Sequence, residues 1–170
     1  MTEEDIQPLI IDASTLIDFI EADPEILTIA GNCFGGIHVS GPVLADELNR
    51  FDTADCDRYG ITVTDGTTQQ IMEAQSLEGA LFLYDWHGII LARDNGWTLL
   101  TNDGAQRREA LASGIPVIRG FGLLVTLVQE QTLETERARR TGALIRQANT
   151  WITQDVLEEF TRLLDELTEN

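Results

Sequence analysis

Four acidic side chains stand where an acid is either costly or chemically useful. Asp12 directly follows the apolar run Leu9-Ile10-Ile11, and Asp103 closes Thr101-Asn102-Asp103 behind the apolar stretch that begins at Trp97. Glu47 lies in Val43-Leu44-Ala45-Asp46-Glu47-Leu48, and Asp85 in Leu81-Phe82-Leu83-Tyr84-Asp85-Trp86, where almost all of its neighbours are apolar. A carboxylate beside a buried strand loses hydration and needs compensation. Two like charges about 5 Å apart repel by about 3 kcal/mol at an effective dielectric of about 20. Acids gathered in one place would therefore hold protons or require a divalent cation. An all-oxygen donor set suits Mg²⁺ or Mn²⁺ rather than zinc, and such an ion binds phosphate oxygens and acidifies a bound water. Spacing alone does not gather the four. Asp12 also reads as a helix cap, Glu47 as surface charge, and Asp85 as the partner of a buried arginine such as Arg93.

To act together these residues need strands that end side by side. The apolar pattern alternates short strands with helices of about ten residues. We read strands over 9–11, 36–40, 61–63, 97–101 and 115–118, and helices over 14–21, 24–30, 42–50, 67–75, 77–95 and 104–113. The first helix presents Leu16, Ile17, Phe19 and Ile20 as its apolar face. Pro42 suits a first helical turn, and Gly31, Gly96 and Gly114 suit helix ends. The alternation predicts an α/β fold, with a mainly parallel sheet covered on both faces. In such sheets ligands bind beyond the carboxyl ends of strands, near the point where strand order reverses. Asp12 and Asp103 would each lie at such an end. Beyond Gly122 the pattern is helical only, over 123–129, 134–148 and 153–167, with Thr153 placed to cap the last helix. We divide the chain into a domain over residues 1–130 and a helical extension over residues 131–170 that packs on it or forms an interface.

Bulk composition narrows the chemistry. The chain has 170 residues, 43% of them apolar, enough for one domain with a sizeable core. No apolar run matches a bilayer, and Met1–Asp5 is acidic where a signal peptide is basic, so a soluble cytoplasmic protein is expected. Cys33 and Cys56 lack metal-type spacing and read as ordinary residues. There are 29 acids against 11 bases, a formal charge of −18, and every base is arginine. The absence of lysine excludes Schiff-base catalysis, the P-loop lysine and the lysine of a phosphorelay receiver. A pI near 4.2 argues against a general nucleic-acid coat. An acid-rich surface without lysine suits a high-salt cytoplasm, where repulsion is screened within a few ångströms, and points to a halophilic source.

The blocks in which these acids occur resemble the PIN-domain family of metal-dependent ribonucleases, which includes the VapC-type toxins of toxin–antitoxin modules. LIIDASTLIDFI is similar to the family's first strand, with the leading acid at Asp12 and a small hydroxyl residue at Ser14. GPVLADELNR resembles the block that contributes a helical glutamate, here Glu47. YDWHGIILARDNGWTLLTNDGAQRREALASGIPVIRG is similar to the long third block, with acids at Asp85 and Asp103. The resemblance runs in family order over about residues 8–130. It implies a three-layer αβα sandwich in which Asp12, Glu47, Asp85 and Asp103 hold one or two Mg²⁺ or Mn²⁺ ions for hydrolysis of RNA phosphodiesters. It also implies that Ser14 and Thr101 orient those carboxylates, with Arg107 and Arg108 as phosphate contacts. His87, two residues past Asp85, reads as structural. The family's usual basic surface is missing here.

Three functions follow as expectations. The first is a metal-dependent endoribonuclease acting as the toxin of a toxin–antitoxin pair, with RNA as substrate, an antitoxin as partner and a homodimer as its assembly. The second is a non-catalytic PIN-like module for binding or dimerisation. The third, a haloacid-dehalogenase-type phosphatase, needs a second aspartate where Ser14 stands and a lysine that the chain lacks.

Overall fold

Leu9, Ile10 and Ile11 carry no side-chain group that needs water, and they form a strand, β1 (Leu9–Ile11), no residue of which is more than 2% exposed. This computed structural model describes residues 7–168; the acidic opening Met1–Asp5 lies outside them. After β1 come α1 (Ala13–Ala22), α2 (Glu25–Phe34), β2 (Ile37–Ser40), α3 (Gly41–Asp46), α4 (Thr53–Tyr59) and β3 (Ile61–Thr64). The chain continues through α5 (Thr68–Ser76), α6 (Leu83–Asn95), β4 (Thr98–Leu100), α7 (Gly104–Ala112) and β5 (Val117–Ile118). It closes with α8 (Gly120–Gln129), α9 (Thr135–Ala148) and α10 (Gln154–Thr168).

The strands form one all-parallel sheet in the order β3-β2-β1-β4-β5. Ile11 of β1 lies between Val39 of β2 and Leu100 of β4, so these three central strands end at one level. The chain leaves β1 toward one edge and returns to the other side, which puts the reversal of strand order between β1 and β4. Strand alternation splits the core in two. Leu9, Ile11 and Leu100 pack with α1, α2, α8, α9 and α10, whereas Ile10 and Leu99 pack with α6 and α7. The fold is the expected α/β architecture with helices on both faces of a parallel sheet. Leu133, Ala138, Ile145, Phe160 and Leu164 of the C-terminal segment share the first core with β1.

Several boundaries differ from the sequence pattern. The helix expected over 42–50 ends at Asp46, because the chain turns there to bury Leu48 and Phe51. The one expected over 77–95 begins only at Leu83; Gly79 holds φ +132°, which only glycine adopts at ease, and the chain before Leu83 is loop. Helix α4 is additional. Asp52 and Asp55 cap it reciprocally, but only Cys56 is buried, so it has no apolar period to detect. On α1 the buried residues are Thr15, Leu16, Asp18 and Phe19, whereas Ile17 is 37% exposed. Among the described residues no helix is long and apolar enough to cross a membrane.

Candidate active site

Asp12 caps α1: its Oδ1 accepts the Thr15 N–H at 3.0 Å. Its Oδ2 accepts from Thr101 Oγ1 at 2.9 Å and from Ser14 Oγ at 3.1 Å. The same Thr101 oxygen accepts the Asp103 N–H at 3.0 Å, tying the ends of β1 and β4 together. Asp103 in turn caps α7, accepting Gln106 N–H at 2.7 Å. Asp85 stands in the first turn of α6 and accepts the Phe82 N–H at 3.0 Å. Arg93 is not its partner, since that guanidinium forks onto Glu73 and also binds Asp94. Glu47 is the first residue beyond α3 rather than a helical one, and it is solvent-exposed.

These four carboxylates line a single cleft of about 190 Å³ at the β1/β4 reversal, together with Ser14, Ser40, Tyr84 and Gln106. Burial pushes the Asp12 carboxyl above its ordinary range, against the pull of its Thr15, Thr101 and Ser14 donors. Asp85 is raised by burial and, more weakly, by the charge of Asp103. For Glu47, loss of hydration within the cleft comes first, and the charges of Asp85, Asp12 and Asp46 add to it. Burial in the cleft therefore disfavours ionisation of Asp12, Glu47 and Asp85. Among the described residues, no group of three or more His, Cys, Asp or Glu side chains is arranged to hold a metal ion. The donor chemistry still fits a hard dication. Each carboxylate keeps free lone pairs beyond the hydrogen bonds it accepts, and all donors are oxygen.

Ser14 and Thr101 both hydrogen-bond to Asp12. Arg107 and Arg108 are exposed, and Arg108 folds back over the start of α7, its Nη1 3.7 Å from where a Cβ on Gly104 would be. His87 is buried, with Nδ1 2.9 Å from Ser40 Oγ. The sequence pattern hides one further constellation. Asp18, 8% exposed, accepts from Asn149 Nδ2 at 3.1 and 3.2 Å and from Asn102 Nδ2 at 3.2 Å. Asn102 also donates its N–H to Thr15 Oγ1 and accepts the Gly120 N–H. The turn that carries Thr101 and Asp103 is thus pinned by α1, α8 and the end of α9. The only hint in the sequence is an acid inside the apolar run of α1.

The sequence profile of the family described as PIN domain matches residues 8–166. The chain belongs to the PIN-domain family. This PIN domain is also similar in fold to a PilT N-terminus domain protein from the hyperthermophilic archaeon Sulfolobus solfataricus P2, with 14% identity, a TM-score of 0.49, and coverage of 75% of this chain and 94% of that one. No curated protein matches the chain.

Proposed function

We propose that this PIN domain is a Mg²⁺- or Mn²⁺-dependent endoribonuclease, the toxin of a toxin–antitoxin pair. The observation that carries this reading is the convergence of Asp12, Glu47, Asp85 and Asp103, from four separate segments, on one cleft at the reversal of strand order. Those four residues would hold the cation, which when bound supplies charge neutralisation and an acidified water for attack on a phosphodiester. Thr101 and Ser14 orient Asp12, and the Thr101 bridge holds Asp103 in register with it. Arg107 and Arg108, beside Asp103, take phosphate oxygens in the fork geometry of guanidinium. An antitoxin segment that fills the cleft would block it, and a homodimer is the assembly proposed.

One observation favours a non-catalytic module instead: the four carboxylates line the cleft without a metal-binding group of three among the described residues. Cleavage of a defined RNA pool decides between the two. The nuclease reading expects chelator to stop cleavage, Mg²⁺ or Mn²⁺ to restore it, and Asp12→Asn or Asp103→Asn to abolish it. Full activity in Asp12→Asn overturns that reading.

A further inference from the structure

A groove of about 370 Å³ opens beside the cleft, between β5, α8 and α10. Phe121, Val125, Ile152 and Val156 form apolar walls, and Asn102, Arg119 and Glu159 are polar groups on its lining, the Glu159 carboxylate being neutralised by Arg162. Asn102 connects groove to cleft, because its chain neighbours are Thr101 and Asp103. Arg119 precedes Gly120, whose N–H donates to Asn102 Oδ1 at 2.9 Å. Among the described residues Arg119 has no ion pair, although acids outnumber bases by 29 to 11. On the neighbouring helices Arg137, Arg139 and Arg162 are paired with carboxylates, whereas Arg140, like Arg119, has no ion pair among the described residues but does not line the groove.

Trp151 immediately precedes the groove residue Ile152 and is 93% exposed. The segment that carries it is anchored. Its backbone N–H donates to Asn149 Oδ1 at 3.1 Å, and Asn149 reaches through Asp18 to Asn102. A small apolar groove that carries an unpaired guanidinium, with an exposed indole on the residue next to its lining, has the make-up of a single-strand nucleotide site, where bases stack on aromatic rings and arginine takes phosphate. The volume lies at the small-ligand end of pocket sizes. Stacking is also a source of affinity that a charge of −18 does not oppose.

We propose that Trp151, Arg119 and the groove between α8 and α10 form a nucleotide subsite for single-stranded RNA, taking a base and a phosphate next to the bond in the acidic cleft. This inference rests on the nuclease reading. The helical extension is then part of substrate recognition.

The test is binding of a labelled single-stranded RNA of about 12 nucleotides to full-length Asp12→Asn protein with Mg²⁺ present. Adding Trp151→Ala should weaken binding roughly tenfold, whereas Trp151→Phe retains most of it. Arg119→Ala should lower the slope of log affinity against log salt by about 0.7. Arg140→Ala, on α9 and likewise without an ion pair among the described residues, should change neither. Trp151 and Arg119 are exposed, so these variants fold. Unchanged affinity and slope in both overturn the subsite. So does a change in solution mass without a change in RNA binding, which would give the groove to a protein partner. Cleavage by the parent chain keeps the two ideas apart: if Asp12→Asn cleaves RNA normally, the nuclease site is misassigned, and binding still tests the subsite.

Discussion

Asp12 is both a helix cap and a cleft acid, and two substitutions separate these roles. Asparagine caps about as well as aspartate, so Asp12→Asn should leave the melting temperature nearly unchanged at about pH 4.5, where a carboxyl raised on folding costs least, while abolishing metal-dependent cleavage. Asp12→Ala strands the Thr15 N–H and the Thr101 hydroxyl and should cost about 1–3 kcal/mol, read by denaturant unfolding. Asp12, Glu47, Asp85 and Asp18 are all raised above their ordinary values. For an acid raised on folding, the stabilisation is complete below its unfolded pKa and is lost as pH rises through the folded one. Metal-free protein should therefore melt lower as pH climbs from about 4.5 toward 7, with a flatter profile in Asp12→Asn. The window starts above the range where Glu73 and Asp94, both lowered by Arg93, begin to lose their pairing. A melting temperature that rises across this window would show that the cleft acids are not under strain. Asp12 and Asp103 are legible in the sequence because each closes an apolar strand. Asp18 is not, because its partners Asn102 and Asn149 lie 84 and 131 positions away, beyond the reach of any local pattern.

At the scale of elements, periodicity marks out the strands and most helices because burial there follows the pleat or the helical turn. It fails where capping chemistry sets a boundary. Asp85 accepts the Phe82 N–H inside a continuous apolar run, so the start of α6 reads as mid-helix. Asp52 and Asp55 make α4 with only one buried residue. The extension reads as an appendage in sequence, yet α9 ends on Asp18 and thereby on the turn beside Asp103. Asn149→Ala should remove one of the two amide donors to a buried carboxylate and cost about 1–3 kcal/mol, with faster amide exchange at Asn102 and Asp103. Exchange that speeds up only in α9 would detach the extension from the site. Close packing of the helix pair gives a second check. A Cβ on Gly142 would lie 2.4 Å from Phe160 Cε1 in the core, so Gly142→Ala should destabilise by about 1–3 kcal/mol despite the better helix propensity of alanine.

For the whole molecule, the charge of −18 sets the response to salt. Two effects oppose each other. Exposed ion pairs such as Arg162–Glu159 and Arg93–Glu73 weaken as ions screen them, and pairs this open to solvent contribute little to begin with. Repulsion among the excess carboxylates acts over the whole surface and is cut back as the Debye length shrinks from about 10 Å at 0.1 M to about 3 Å at 1 M. With 18 negative charges left over after every possible pairing, repulsion outweighs the ion pairs. The melting temperature should therefore rise with KCl between about 0.1 and 1 M, and chloride salts of different monovalent cations should act alike if screening is the cause. Specific cation binding would separate them. RNA affinity should fall less steeply with salt than for a basic nuclease, because screening weakens arginine–phosphate contacts while also removing the long-range repulsion. A melting temperature that falls over this range would place the ion pairs above the net charge and remove the physical case for a high-salt cytoplasm.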